Sequence, residues 1–461
     1  MDNEFFQGYR GQALEVLKQY NVRVWGKATI TTTRGNFEGT VLPRSCNDDE
    51  KHIVIKIESG YNIGIDVETI TNMKETGYNK VNFKIQEKDF PSVQGLPTVK
   101  LFGTGGTIAS RLDYRTGAVI PAFSPGELYS AVPELAEICN LETEKVFAVF
   151  SENMGPTHYI ALAKAIAKEI ERGVDGIVIG HGTDTMQHTG AALTFMVQNP
   201  PIPIILVGSQ RSSDRPSSDA PLNLMHAMTA AGHGDIAEVM VCMYGTTSDE
   251  YGLLHKSTRV RKMHSSYRST FRTIGDTPVA SVTRDGVTHI KENYNPRRKD
   301  RKVKLLPYFS DKVTMVYYYT GIKPDVIDSL VDAGYKGIVF VGTGLGHLNK
   351  ELYPAIERAH AKGVHMYMTL QTLWGYVQMF VYDTGRDIMA KGVIPCGNML
   401  PEVAFIKLSW ALGQTEDPEE VKRLMLTPIN DEITEREPYN GYVLLQGGVP
   451  EVDDFLAKTR K

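Results

Sequence analysis

The stretch 101-LFGTGGTIAS-110 sets Thr104 and Thr107 among Gly103, Gly105 and Gly106, directly after the apolar lead-in VKLF. Glycines let a backbone turn sharply and approach a ligand closely. Phosphate binding is the first chemistry to test. A dinucleotide fingerprint needs glycine where the chain has Ile108, and a P-loop needs a lysine that this turn lacks. Neither template fits. Two readings remain. The turn presents a threonine hydroxyl and backbone N–H groups at the mouth of a sheet, or its threonines cap a tight strand–helix turn.

A hydroxyl becomes a useful nucleophile only beside a group that takes its proton. Further along, 181-HGTDTM-186 places Thr183 next to Asp184 after a buried apolar run, with His181 close by. An aspartate there can also cap a helix, and a lone histidine near a turn is more often structural than catalytic. A lysine accepts protons where burial or positive neighbours favour its neutral form. The segment 259-RVRKMHSSYRSTFR-272 offers Lys262 beside Arg259 and Arg261. By itself this segment reads more readily as a solvated basic loop.

These residues need elements to hold them. The 461 residues suggest two to four domains at roughly 100–200 residues each. Apolar residues make up 42% and charged residues 23%, as in an ordinary soluble protein. The net charge of −4 carries no overall basic signature, so any nucleic-acid contact must be local or borrowed from a partner. No apolar run approaches the ~18 residues that span a bilayer. MDNEFFQGYRGQALEVLKQY has early acids and no apolar core, unlike a secretory signal. Cys46, Cys139, Cys242 and Cys396 are widely spaced, which points away from a disulfide framework or zinc site and toward a reducing cytoplasm.

Residues 1–75 read as a small β-barrel-like domain: VRVWGKATITTTRGNFEGTVLP and HIVIKIESGYNIGID are short strands between turn residues. Residues 76–97 read as a linker. From Val99 short apolar runs (VKLF, GIVIG, PIILVG, EVMVCMYG, VTMVYYY, GIVFVG) alternate with helical stretches, predicting an α/β fold with largely parallel sheets. The helix at 157–173 is predicted with Thr157 as N-cap and Gly173 as stop, and a late helix at 417–426 with Asp417 as cap and Pro418 at its first position. The basic stretch 296-PRRKDRKVK-304 divides a larger domain, 98–300, from a smaller one, 301–440, with a C-terminal extension at 441–461. Ligands of such sheets bind beyond the carboxyl ends of the strands. TGGTIAS, FSENM, GHGTDTM and GSQRSSDRPSSDAPLN stand where such ends should be.

In this order TGGTIA, HGTDTM, VGSQRSSDRPSSDAPLN and RKMHSSYRSTFRT resemble the bacterial-type L-asparaginase family over about residues 98–430. The resemblance implies two α/β domains and amide hydrolysis through an acyl-threonine. Thr104 matches the usual nucleophile. Thr183, Asp184 and Lys262 match the proton-moving threonine, aspartate and lysine. Ser151 matches a serine that binds the substrate's α-carboxylate. Glu152 follows it where many relatives carry glutamine. Asp184, expected to be buried, would also hold the α-ammonium. Tyr114 in LDYRTG matches a mobile-lid tyrosine, with a hinge near Gly117. Leu345 stands where some relatives place an asparagine that contacts a neighbour's substrate, which sets this chain apart from the ordinary shared-site tetramer.

The β-rich N-terminus is not needed by a free asparaginase. With NFEGTVLPR, HIVIKIESGYNIGI and YMTLQTLWGYVQMFVYDTGRDI, the chain resembles the D-subunit family of archaeal glutamyl-tRNA(Gln) amidotransferases along its full length. That resemblance implies a cytoplasmic glutaminase that takes glutamine as ammonia donor. Its partner in the amidotransferase, the E subunit, binds Glu-tRNA(Gln), activates it with ATP and Mg2+, and accepts the ammonia. It also implies a self-dimer within a heterotetramer and no cofactor or metal in this chain. The alternative is a free-standing cytoplasmic L-asparaginase. A silent RNA-binding scaffold using Arg23, Lys27, Arg34 and Arg44 is disfavoured, because all four reacting positions match an enzyme motif.

Overall fold

A computed structural model describes residues 5–44, 48–78, 92–105, 110–113, 118–121, 132–211 and 217–438. Tyr114, Thr107, Gly117, most of the linker and the 441–461 extension lie outside these residues.

The N-terminal unit pairs helix Gly11–Gln19 (α1) with five strands: Gly26–Thr32 (β1), Gly35–Val41 (β2), His52–Lys56 (β3), Asn62–Asp66 (β4) and Ile70–Tyr78 (β5). The order is β4-β3-β2-β1-β5, with each pairing antiparallel. Ala28, Ile30, Ile53 and Ile55 face inward at a period of two. The expected barrel is not closed: among the described residues the ladder ends at β4 and β5. Ala13 and Leu17 of α1 enter the same core, supplying burial that closure would otherwise provide.

From Thr98 strands and helices alternate. The larger unit contains Thr98–Gly103 (β6), the hairpin Ser110–Asp113 (β7) and Ala118–Pro121 (β8), Asn140–Lys145 (β9), helix Pro156–Arg172 (α2), Gly176–Gly180 (β10) and helix Met186–Met196 (α3). Val197–Gln198 (β11), Ile204–Val207 (β12), helix Ala220–His233 (α4), Val239–Tyr244 (β13) and Gly252–Lys256 (β14) follow. A short hairpin, Val260–Lys262 (β15) with Phe271–Thr273 (β16), precedes Ala280–Thr283 (β17) and Gly286–His289 (β18). The main sheet runs β18-β17-β14-β13-β12-β10-β6-β9. It is parallel from β13 to β9 and antiparallel from β13 to β18. Strands β10, β12 and β13 are buried throughout, which explains their unbroken apolar runs.

Helix α2 starts before Thr157: Gly155 is the N-cap and Pro156 the first helical residue. Proline suits that position because its missing N–H would go unbonded there anyway. Gly173 ends the helix as expected, at φ 92°. The basic stretch after Asn295 does not swing free. Arg297 donates to the carbonyls of Ala231 and Gly234, and Lys304–Leu305 (β19) pairs with β11.

The smaller unit is a four-stranded parallel sheet in chain order: Val313–Tyr317 (β20), Gly337–Gly342 (β21), His365–Leu370 (β22) and Val393–Pro395 (β23). Its helices are Asp325–Asp332 (α5), Tyr353–Ala361 (α6), Asp383–Ala390 (α7), Pro401–Gln414 (α8) and Pro418–Leu426 (α9), the last capped by the Asp417 carboxylate. Helices α3 and α8 pack together, with Phe195 and Trp410 ring centroids 5.9 Å apart. One apolar core therefore runs from the larger unit into the smaller.

Candidate active site

Strands β6 and β10 are parallel neighbours in register, Gly103 beside Gly180, so their carboxyl ends stop at one level. Thr104 and His181 come next. The buried Thr104 hydroxyl donates to the Gly180 carbonyl at 2.8 Å. The same carbonyl accepts from the Thr104 N–H at 3.2 Å. The hydroxyl is thus held at the mouth of the sheet. Gly105 follows at φ 112°, and a Cβ there would stand 2.3 Å from the Val149 carbonyl oxygen. Only glycine meets both demands.

The Thr183 hydroxyl accepts from Lys262 Nζ at 2.9 Å, and Asp184 Oδ1 lies 2.7 Å from the same Nζ. The lysine is not part of a loose basic loop. It ends β15 and is paired with Phe271 of β16, and its side chain is only 11% exposed. Asp184 corrects an expectation: its side chain is 69% exposed rather than buried. It stands past the end of β10, on the open side of the strand ends, where a soluble ligand can reach it.

Ser151 is buried in a single helical turn, Ser151–Asn153, and its carbonyl accepts from the Thr185 hydroxyl at 2.6 Å. Its side chain packs on Gly182, where a Cβ would fall 2.7 Å from Ser151 Cβ. Serine and the Thr183–Asp184 turn are therefore in contact. Glu152 next to it is exposed. Tyr114 cannot be placed with them, since it lies outside the described residues. Leu345 sits partly buried in the turn after β21, its carbonyl accepting from the Gln378 N–H at 2.9 Å.

His181 is structural. Its Nδ1 donates to the Gly182 carbonyl at 2.6 Å and Nε2 accepts from the Thr189 hydroxyl at 2.8 Å. Burial pushes its pKa down to about 4, which keeps the ring neutral. Reading the motifs missed Asp219 and Asn223. The buried Asp219 carboxylate accepts from the Gln210 and Arg211 N–H groups at 3.0 and 2.9 Å, and Asn223 bonds both Asp219 and the Gly208 carbonyl. Together they pin the turn after β12. The available signal was an acid at a helix start with an asparagine four residues on, a spacing that puts both on one face.

The sequence alone offers Arg259 and Arg261 only as charge around Lys262. The fully buried Arg259 donates to the Asn398 carbonyl at 2.8 Å, and Arg261 bonds Glu402 at 3.2 Å. Both tie the lysine strand to the smaller unit.

The arrangement offers a fixed hydroxyl, a second hydroxyl wired to a lysine, and an exposed carboxylate able to hold a cation, all at strand ends. It is equipped to add a hydroxyl across an amide and move the protons.

Known proteins resemble this chain along most of its length. Residues 98–295 match the family described as Asparaginase, N-terminal, and residues 312–425 the Glutaminase/Asparaginase C-terminal domain. Residues 26–74 match the GatD N-terminal domain. The chain is 45% identical over 435 residues to the D subunit of the glutamyl-tRNA(Gln) amidotransferase from Pyrococcus abyssi, covering 93% of this chain and 99% of that one. It is 47% identical to the corresponding protein of Thermococcus kodakarensis, covering 93% and 98%. Among solved structures, the thermostable L-asparaginase from Thermococcus kodakarensis superposes with a TM-score of 0.65 at 32% identity, covering 73% of this chain and 99% of that one. The fold is that of the asparaginases, with a further N-terminal unit.

Proposed function

The chain belongs to the family of glutamyl-tRNA(Gln) amidotransferase D subunits, and on that premise we propose that it is the glutaminase of such a complex. The observation that carries the reading is Lys262 joined to both Thr183 and Asp184 beside the strand end that holds Thr104.

Glutamine enters with its α-ammonium on Asp184 and its α-carboxylate near Ser151. Thr104 Oγ attacks the side-chain amide carbon, while backbone N–H groups of the strand-end turns receive the developing oxyanion. The hydroxyl proton passes through Thr183 and Lys262 to the amide nitrogen, the C–N bond breaks, and ammonia leaves. Water then attacks the acyl-threonine, releasing glutamate and restoring the hydroxyl. Lys262 shares Asp184 with the incoming ammonium.

Ammonia that escapes is lost to solvent, so its release is useful only where a protected route leads to an acceptor. The acceptor in this reading is Glu-tRNA(Gln) held by the amidotransferase E subunit, which uses ATP and Mg2+ to activate the glutamyl carboxylate. This chain itself needs no cofactor, works in the cytoplasm, and forms a self-dimer within a heterotetramer. The test is glutamine hydrolysis by the purified chain with and without the E subunit and Glu-tRNA(Gln). Weak hydrolysis alone and strong stimulation by the pair support the reading. Fast asparagine hydrolysis that ignores the E subunit would overturn it in favour of a free-standing asparaginase. Removing residues 1–75 separates the two further, since a free asparaginase core should not miss them.

A further inference from the structure

The strand that carries Lys262 is three residues long and has one short partner, β16. Such a hairpin does not fix a lysine tip by itself. The residues just before it, Lys256, Thr258 and Arg259, bond the segment 430–437, which follows α9. At one end this segment is locked into the core: the wholly buried Lys407 and Glu432 form an ion pair at 2.6 Å, and Asp431 pairs with Lys256 at 2.8 Å. The Thr258 hydroxyl donates to the Asn430 carbonyl. At the other end, Thr434 Oγ1 accepts from Arg259 at 3.3 Å and from Asn398 Nδ2 at 2.8 Å. The Glu437 carboxylate accepts from the Gly375 N–H at 3.1 Å and from Asn398 at 3.3 Å. Burial pulls the Arg259 guanidinium below its ordinary pKa, and the nearby charges of Asp276 and Glu437 oppose that pull.

We infer that residues 430–437 are a strap that sets where Lys262 stands, with Arg259, Thr434 and Glu437 as positioning residues. None of them bonds Thr183 or Asp184. They act through the strand: Arg259 precedes Lys262 by three residues, roughly 10 Å of extended chain, and whatever moves one end moves the other. A shift of about 1 Å is enough to break a hydrogen bond and cost a large part of a rate. Asn398 and Gly375 belong to the smaller unit, so displacement of that unit is carried to the lysine. The inference rests on the reading of Lys262 as the proton carrier.

The test uses the full chain with Glu437→Gln, Thr434→Val and the conservative Thr434→Ser. Three readouts are taken: kcat and KM for glutamine across pH, thermal stability, and the pH dependence of Lys262 acetylation by acetic anhydride, read by peptide mass spectrometry without substrate. The strap predicts a fall in kcat of about five-fold or more with KM within about two-fold. It also predicts a displaced pH–rate profile and a changed acetylation profile at Lys262, with Thr434→Ser near the unaltered chain. Lower stability with kcat per folded molecule and Lys262 acetylation both unchanged would overturn it. If the unaltered chain hydrolyses no glutamine under any condition, the functional reading fails and acetylation alone decides. A changed profile then supports the strap, and an unchanged one removes it.

Discussion

Lys262 Nζ lies 2.9 Å from Thr183 Oγ1 although the two residues are 79 positions apart in the chain. One is brought by a hairpin and the other by the end of a central parallel strand. Thr183 follows the strand β10, whose neighbour β6 leads into Thr104; in the proposed mechanism it relays a proton rather than keeping it.

Replacing Lys262 by methionine keeps the apolar stem and removes the amine. The expected result is a loss of about 10²–10⁴ in kcat for glutamine hydrolysis, with thermal stability nearly unchanged. Asp184→Asn should act differently, raising KM more than it lowers kcat, because the exposed carboxylate is the group proposed to hold the substrate's ammonium. Steady-state kinetics on both variants checks the distinction, and equal effects on kcat alone would argue against an ammonium site at Asp184.

The choice between the two threonines is open to direct labelling. A glutamine analogue with an electrophilic ketone carbon should form an adduct on Thr104, located by peptide mass spectrometry. Thr104→Ala should abolish the adduct, while Thr183→Val should slow its formation and leave it on Thr104. An adduct on Thr183 would exchange the roles of the two hydroxyls.

Gly182→Ala would put a Cβ 2.7 Å from Ser151 Cβ. Both atoms are close to the main chain, so the serine turn must move as a body. KM for glutamine should rise by roughly ten-fold or more, with a stability loss of about 1–3 kcal/mol from overpacking. Kinetics and urea unfolding together check this, and an unchanged KM would remove Ser151 from the binding site.

Much of this was legible in the residues. Buried parallel strands announce themselves as unbroken apolar runs, and GIVIG and GIVFVG both became such strands. The candidate residues Thr104, Thr183, Asp184 and Lys262 could be picked out because each lies in a short motif at a strand end. Asp184 was misjudged because sequence gives residue type and neighbours but no solvent boundary, and an acid past a strand end stays exposed without any change in its motif. The roles of Arg259 and Glu437 were hidden for another reason. Their shared partner Asn398 is far from Arg259 in sequence, and local patterning carries no information about such pairs. The N-terminal strands were readable by alternation, yet closure is a property of the ladder ends, which no single strand encodes.

The buried histidines set how the protein meets acid. Burial pushes His181 and His188 down to about 4 and His255 down to about 3. Unfolded, each would titrate near ~6.5. Between these values the unfolded chain binds more protons than the folded one, so acid favours unfolding. Their neutral, buried state is fully compatible with folding above about pH 6.5. Stability is lost as pH falls from there toward 4, by roughly 1.4 kcal/mol per pH unit for each histidine. Below about pH 4 for His181 and His188, and about pH 3 for His255, both states carry the proton and this loss levels off. Urea unfolding midpoints measured from pH 7 to 4.5 should therefore fall steeply, before most carboxylates titrate. His255→Gln, which keeps a polar partner for the Thr273 hydroxyl 2.8 Å away, should make the slope shallower by about one proton. A midpoint that stays level from pH 7 to 5 would show that these rings are not held neutral in the folded protein.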